Sequence, residues 1–547
     1  MGPLRRGGEI PLRPLPVLLA LASCCLPTPY TLAAGDAPRR IERIEIVRKD
    51  IFDSTKVEDQ HFLGSAINAL HILTRQDVIR KEILFSEGDQ LDEETLEESA
   101  RLLRGLGFLG DAIVTWRPSG DSAAVVTVTT QDRWSIDVLP SYKQEGNVQT
   151  QRYTARDDNF LGGGHSLSFS YSYRSHLPSP HGTEVALRER NLLGTRLRAG
   201  IRLLNGCEGT TRGIWLERPY YSDRTAWAGG IVTELGQRRV IHYESGTLFS
   251  EPERHSELER GWFSASLGSH YIFRPVVAYT RVRSGNPIPR VFDNLDMVSL
   301  SATLLDRSYV LRSFLNGFGR TEDMPVGVGA SATLGRNFPV RGLTGPGYFA
   351  SLSLRQAFVL GQRGYFGWST SVQSFWGGVR PSESTIQLQL LHHTRLSEHQ
   401  TLVAQGTGTL GLGWTAYRQL LLGSSTGLRG YAESTFDGNR RITYSVEHRF
   451  YTGLDVLFFR LGTVLFADGG SAWYGDSPPA RQHFSHAVGA GLRIENPKVQ
   501  GAGLIRIEWA MNLDRLRGGQ IIISSRVPFS AFLDLDSVGA LWDPQGQ

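Results

Sequence analysis

Between Gly423 and Gly470 the chain sets an arginine, a tyrosine and two carboxylates in a pattern suited to ion pairing rather than to covalent chemistry. Arg429 lies in Gly427-Leu428-Arg429-Gly430-Tyr431, a glycine-bracketed stretch that reads as part of a long loop. Arg441 to Phe450 then alternates as a strand and carries Glu447 and Arg449 on its polar face. In the next run, Phe466-Ala467-Asp468-Gly469-Gly470, period two places Val464, Phe466 and Asp468 on one face and Leu465 and Ala467 on the other. A loop arginine between glycines and an inward carboxylate on a strand predict a loop folded into an enclosed space. An Arg–carboxylate pair would anchor it, because the guanidinium fork matches a carboxylate in bidentate geometry and glycine permits close backbone approach.

Other groupings promise less. Gly423-Ser424-Ser425-Thr426-Gly427 has the GxSxG spacing, but a nucleophile elbow needs a strand–turn–helix context, and the surrounding sequence is all β. His392, His393 and His399 are close in sequence, yet neighbours on a strand point to opposite faces and do not share a metal. Cys207 is alone outside the first 25 residues, so it has no internal disulfide partner and nothing nearby to activate it. We therefore expect no catalytic residues, no metal and no cofactor.

The elements that must position Arg429 and Asp468 are β-strands. From residue 135 to about 532 the pattern has period two. Leu167, Phe169, Tyr171 and Tyr173 alternate with serines, Leu197 to Leu203 alternates with Arg196, Arg198, Gly200 and Arg202, and Ile505, Ile507 and Trp509 alternate with Arg506 and Glu508. Sustained alternation of this length, with aromatic residues near strand ends, suits strands whose apolar side faces lipid and whose polar side faces a lumen. No apolar run is long enough for a spanning helix, so a membrane-embedded chain would have to close as a barrel. Roughly 16 to 20 candidate strands can be traced, and closure favours an even number. Asn159–Gly164, Asn191–Gly194 and Gly361–Gly364 read as short turns on one rim, and Gln237–Glu259 as a long loop on the other.

Ahead of the barrel the periodicity differs. Arg5, Arg6 and Arg13 precede the apolar stretch Leu15–Cys25 and a small-residue exit ending at Ala34, which together read as a secretory signal over residues 1–34. Leu21-Ala22-Ser23-Cys24 offers a lipoprotein cleavage box as the alternative. Residues 39–134 read as β-α-α-β-β: a strand at Ile41–Val47, one or two helical segments in Gly64–Leu84, a helix over Leu91–Leu106, and strands at Ile113–Trp116 and Ala123–Thr129. The 58 basic residues nearly balance the 54 acidic ones and are spread along the chain, so no nucleic-acid partner is implied. Residues 533–547 form a C-terminal extension.

Three motifs carry a resemblance to the BamA/TamA outer-membrane assembly superfamily, the bacterial surface-antigen family. They are Leu428-Arg429-Gly430-Tyr431, like its [VL]RG[YF] loop motif, Glu447-His448-Arg449, like its ExR strand, and Phe466-Ala467-Asp468-Gly469-Gly470, like its FxDxG strand. Asn159–Gly162 and Asn191–Gly194 are similar to its NxLG turns. The resemblance implies a transmembrane antiparallel barrel of about 16 strands preceded by one periplasmic α/β POTRA-like domain. It also implies that Arg429 packs against Asp468, with Glu447 as a second partner. Expected partners are outer-membrane lipid, unfolded outer-membrane or secreted clients and accessory lipoproteins, and the expected activity is insertion or translocation of those clients. A channel or lipid- or solute-handling barrel of the same fold is the alternative, since fold does not establish function. Val340-Arg341-Gly342-Leu343 also matches the loop motif loosely, but no ExR or FxDxG strand follows it.

Overall fold

The computed structural model describes residues 39–524 except 53–61, 146–147, 223, 245, 269, 285–293, 307, 315–320, 340–345, 378–380, 415–417, 457–458, 476–482, 497–503 and 515–518. The expected signal over 1–34, the cleavage box at Cys24, Arg341 and the C-terminal extension lie outside the described residues.

The chain begins with a small α/β unit. Its elements run β1 (Arg40–Lys49), α1 (Phe62–Leu70), α2 (Gln76–Glu82), α3 (Glu93–Gly105), β2 (Leu109–Ser119) and β3 (Ala123–Asp132). The sheet order is β1-β3-β2, with β1 parallel and β2 antiparallel to β3. Parallel pairing of β1 with β3 requires a long crossover, and the three helices supply it. Ile41 and Ile44 from β1, Ile79 from α2, Leu103 from α3 and Val126 and Val128 from β3 are buried in one cluster. Asp92 caps α3, accepting from the Glu94 amide at 3.3 Å, as an acidic residue at a helix start should.

Twenty antiparallel strands then close into a barrel among the described residues, against an expectation of about 16. They are β4 (Ile136–Glu145), β5 (Val148–Phe160), β6 (His165–Arg174), β7 (His181–Glu189), β8 (Arg198–Gly206), β9 (Gly209–Arg218) and β10 (Trp227–Glu244). Next come β11 (Thr247–Ala265), β12 (Tyr271–Ser284), β13 (Leu295–Asp306, continued in the same register by Ser308–Ser313), β14 (Thr321–Asn337), β15 (Gly347–Leu360) and β16 (Gly364–Trp376). The wall is completed by β17 (Pro381–Ser397), β18 (Gln400–Leu412), β19 (Arg440–Val456), β20 (Phe459–Trp473), β21 (Ser485–Glu495), β22 (Leu504–Asn512) and β23 (Gly519–Ser524). The expected long loop over residues 237–259 is a second difference. These are not a long loop but part of the β10–β11 hairpin, paired from Trp227↔Ala265 to Glu244↔Thr247 with one register shift between Arg239 and Ile241. The stretch is rich in polar residues and lacks the alternation that marks the other wall strands, so it carries no strand signal.

The alternation that predicted the wall sorts as expected. On β6, Phe169 is half exposed on the outside while Ser166 and Ser170 are buried on the lumen side. Ile231, Leu300 and Leu334, each more than 60% exposed, belong to the outward row. Such a surface is stable only against an apolar solvent. Strand β23 meets β4 to complete the circle. Three register pairs join them among the described residues: Ile521↔Gln144, Ile522↔Lys143 and Ile523↔Tyr142.

The α/β unit sits on three consecutive turns of one rim. In the β5–β6 turn, Asn159 Oδ1 accepts from Gly164 N (2.8 Å) while its Nδ2 donates to Thr74 Oγ1 (2.8 Å). In the β7–β8 turn, Asn191 Oδ1 accepts from Arg196 N and Nδ2 donates to Lys81 O (3.1 Å), and Arg196 donates to Ile83 O at 2.7 Å. In the β9–β10 connection, Arg224 reaches Asp92 and Glu94 at 2.9 and 2.8 Å. Both asparagine turns place a leucine in the left-handed region, Leu161 at φ 55° and Leu193 at φ 53°. L-residues other than Asn and Asp seldom adopt that conformation.

Candidate functional site

The loop between β18 and β19 turns back into the barrel. Two three-residue strands, Leu420–Leu422 and Phe436–Gly438, pair at its neck. Ser424–Thr426 forms a single 3-10 turn that ends at Gly427 with φ 113°. The GxSxG match is therefore a loop bend, without the strand and helix of a nucleophile elbow. Leu428 is fully buried and Tyr431 nearly so, packed with Leu422 and Ala487.

Arg429 is held by the wall. Its Nε donates to Asp468 Oδ2 at 2.7 Å and its Nη2 to Asp468 Oδ1 at 2.9 Å, a two-point contact on β20. Nη1 reaches Glu447 Oε1 of β19 at 3.0 Å and Glu508 Oε2 of β22 at 3.2 Å. The guanidinium also lies 3.5 Å above the centre of the Phe466 ring. A cation over an aromatic face gains from the ring quadrupole, more so when desolvated. Asp468, Glu447 and Glu508 are at most 1% exposed.

Glu447 is shared further. Its Oε2 accepts from Arg449 Nε (3.0 Å) and Arg493 Nη2 (2.7 Å), while Arg506 approaches Glu508 at 3.4 Å. Four guanidinia, from Arg429, Arg449, Arg493 and Arg506, thus meet three carboxylates. Isolated charges at this depth would be prohibitively costly, and mutual pairing offsets the desolvation.

All nine expected site residues fall in this region. Leu428, Arg429, Gly430 and Tyr431 form the loop tip, and Glu447, Arg449, Phe466 and Asp468 form the wall facing it. Gly470 leaves room for the loop neck: a Cβ there would stand 2.9 Å from Ile442 O and 3.1 Å from Leu422 Cδ2. The Tyr431 hydroxyl donates to Asp514 (2.7 Å), with His486 O also within reach at 3.0 Å.

Sequence reasoning missed Glu508, Arg493, Arg506 and Gln520. The period-two signal placed Arg506 and Glu508 on a polar face, but alternation alone does not say which strands share a lumen height. Gln520 carries no such signal; it accepts from the Gly430 amide at 2.9 Å. His392 and His393 do diverge: His393 is buried against the Tyr365 ring while His392 contacts Phe366 and Thr394. Cys207, in the β8–β9 turn, is buried and donates to Pro180 O.

The lumen holds a cavity of about 1490 Å³, lined among others by Arg152, Arg202, Glu184, Gln387 and Gln389 and bordered by Arg429, Glu447, Asp468 and Glu508 of the network.

No family model and no curated protein matches the chain. Among solved structures it is similar to BamA from Haemophilus ducreyi lacking POTRA domains 1–3, at 12% identity over 88% of this chain and 84% of that one, with a TM-score of 0.39. It is also similar to CdiB from Escherichia coli, at 12% identity, 89% and 76% coverage and a TM-score of 0.44. CdiB from Acinetobacter baumannii gives 10% identity, 89% and 73% coverage and a TM-score of 0.39.

Proposed function

We propose that this protein is a non-enzymatic factor of the bacterial outer membrane that inserts unfolded protein clients or passes them across it. In this reading the α/β unit is a periplasmic POTRA-like domain. Its sheet order leaves β2 at an edge, and an extended client segment can pair with such an edge by β-augmentation. The observation that carries the proposal is the β23–β4 seam, where three register pairs join the first and last strands among the described residues. The junction where the first and last strands close a barrel is the place where it can part and present two strand edges to template another strand. Client folding would supply the driving force, and accessory lipoproteins would assist.

The test is site-specific photocrosslinking from β2, β4 and β23 in cells, combined with depletion. Clients are expected to crosslink at all three strands and to fall in abundance on depletion. Crosslinks absent from the seam, with client levels unchanged, would remove the reading.

The lumen cavity favours a second reading, a channel or a lipid- or solute-handling barrel. Planar-bilayer recordings decide between the two. Steady solute conductance together with unaffected client levels supports the channel.

A further inference from the structure

The tip of the β18–β19 loop touches more than the strands that bind Arg429. Gly430 donates its amide to Gln520 Oε1 of β23 at 2.9 Å, and three residues later Glu433 pairs with Lys143 of β4 at 3.5 Å. Gln520, Ile522 and Ser524 are buried on the lumen side of β23, and Lys143 is the register partner of Ile522. The loop therefore spans the closure point of the barrel from within, with one contact on each side. Its root is elsewhere: Arg429 binds β19, β20 and β22, and Gly430, at φ +87°, lies against the backbone of Ala510–Asn512 so closely that a Cβ would stand 3.2 Å from it. Arg506 on β22 adds a strut to β23, donating to Ser524 at 2.7 Å.

We propose that this loop is an internal latch on the seam. Arg429 fixes it to wall strands that stay together, whereas Gly430–Gln520 and Glu433–Lys143 hold the two strands that separate when the barrel parts. Widening the seam requires at least one of these contacts to break, because Gly430 and Glu433 are only three residues apart and cannot follow both edges. Lys143 and Gln520 are thus positioning residues for seam opening. As a role for the seam, this rests on the function proposed above.

The test is amide exchange of the full-length protein in lipid nanodiscs, read at Tyr142–Gln144 and Ile521–Ile523, with the β16–β17 ladder as control. Glu433→Gln and Lys143→Gln should each speed exchange at the seam about fivefold, the size expected for losing a partly screened ion pair. The double variant should be no faster than either single one, because the two residues act through one contact. Gln520→Leu should speed the seam independently. Seam exchange at the wild-type rate in Glu433→Gln and Gln520→Leu overturns the latch, as does equal acceleration of the control ladder or full additivity of the two charge variants. Client insertion scored on the same variants separates the two proposals. A faster seam with no client dependence keeps the latch and removes the assembly function, whereas dependence on the protein with an unresponsive seam does the reverse.

Discussion

Arg429 and Asp468 meet in a two-point contact, Nε to Oδ2 at 2.7 Å and Nη2 to Oδ1 at 2.9 Å, inside a closed β-barrel. One partner comes from a loop and the other from the wall, so the pair decides where the loop lies. Its surroundings make it hard to replace. Glu447 and Glu508 share the same guanidinium, and Phe466 lies beneath it.

Removing Arg429 takes from buried Asp468 its two-point partner and from Glu447 and Glu508 one contact each. Arg429→Ala should destabilise the folded barrel by roughly 3–5 kcal/mol, the range for breaking a buried pair from one side. Arg429→Lys should recover only part of the loss, since an ammonium cannot make the two-point contact. Heat-modifiability on semi-denaturing gels, read across temperature, measures this. Full recovery by lysine would show that charge alone matters.

Gly470 offers a way to displace the loop without touching a charge. Gly470→Val adds atoms where Ile442 O and Leu422 already crowd the space. The expected result is exposure of Leu428 and Tyr431 to an added protease or labelling reagent while Arg449 and Glu447 remain paired. If the loop stays protected, the close approach at residue 470 is not what seats it.

The junction between the α/β unit and the barrel depends on two turn asparagines. Asn159→Ala removes the donor to Thr74 Oγ1 and the acceptor for Gly164 N together, at a cost of about 1–3 kcal/mol for buried groups left unpaired. Spin labels on α2 and on β8 should report a broadened distance distribution in Asn159→Ala and more so in Asn159→Ala with Asn191→Ala. An unchanged distribution in the double variant would assign the docking to apolar contacts instead.

Asp132 gives the α/β unit a pH dependence of known sign. Burial holds its carboxyl above the ordinary carboxylate range, against the hydrogen bonds from the Thr74 amide and hydroxyl and the attraction of His71. The folded unit therefore keeps a proton that the unfolded chain has already released. The stability associated with this group is greatest below the unfolded value and is lost as pH rises through the raised one. Asp77 works the other way. Its hydrogen bond from Arg75, then that from Lys81, holds it below the usual range, so its contribution is lost as pH falls. Asp132→Asn keeps an acceptor for Thr74 and should flatten the first dependence. Amide exchange of β3 in the full-length protein, corrected for intrinsic rates, is the measurement. A variant as pH-dependent as the parent would assign the slope to other groups.

The sequence by itself determined the two periodicities and the site's main pair. Period-two alternation survives in a barrel because each strand must satisfy lipid on one side and a polar lumen on the other, so Leu167, Phe169 and Tyr171 announce their face without reference to any neighbour. The helix start at Asp92 is equally local. Arg429 and Asp468 were legible because glycine spacing and strand alternation both act at short range. The tertiary structure alone decided what depends on register between distant strands. It closed the wall with twenty strands among the described residues and extended β10 and β11 through the stretch expected to be a loop. It brought Glu508, Arg493 and Arg506 to the height of Arg429, and it set Gln520 and Lys143 on either side of the closure. Those placements follow from how far each ladder is staggered against the next, and the stagger is fixed by pairing across the whole wall.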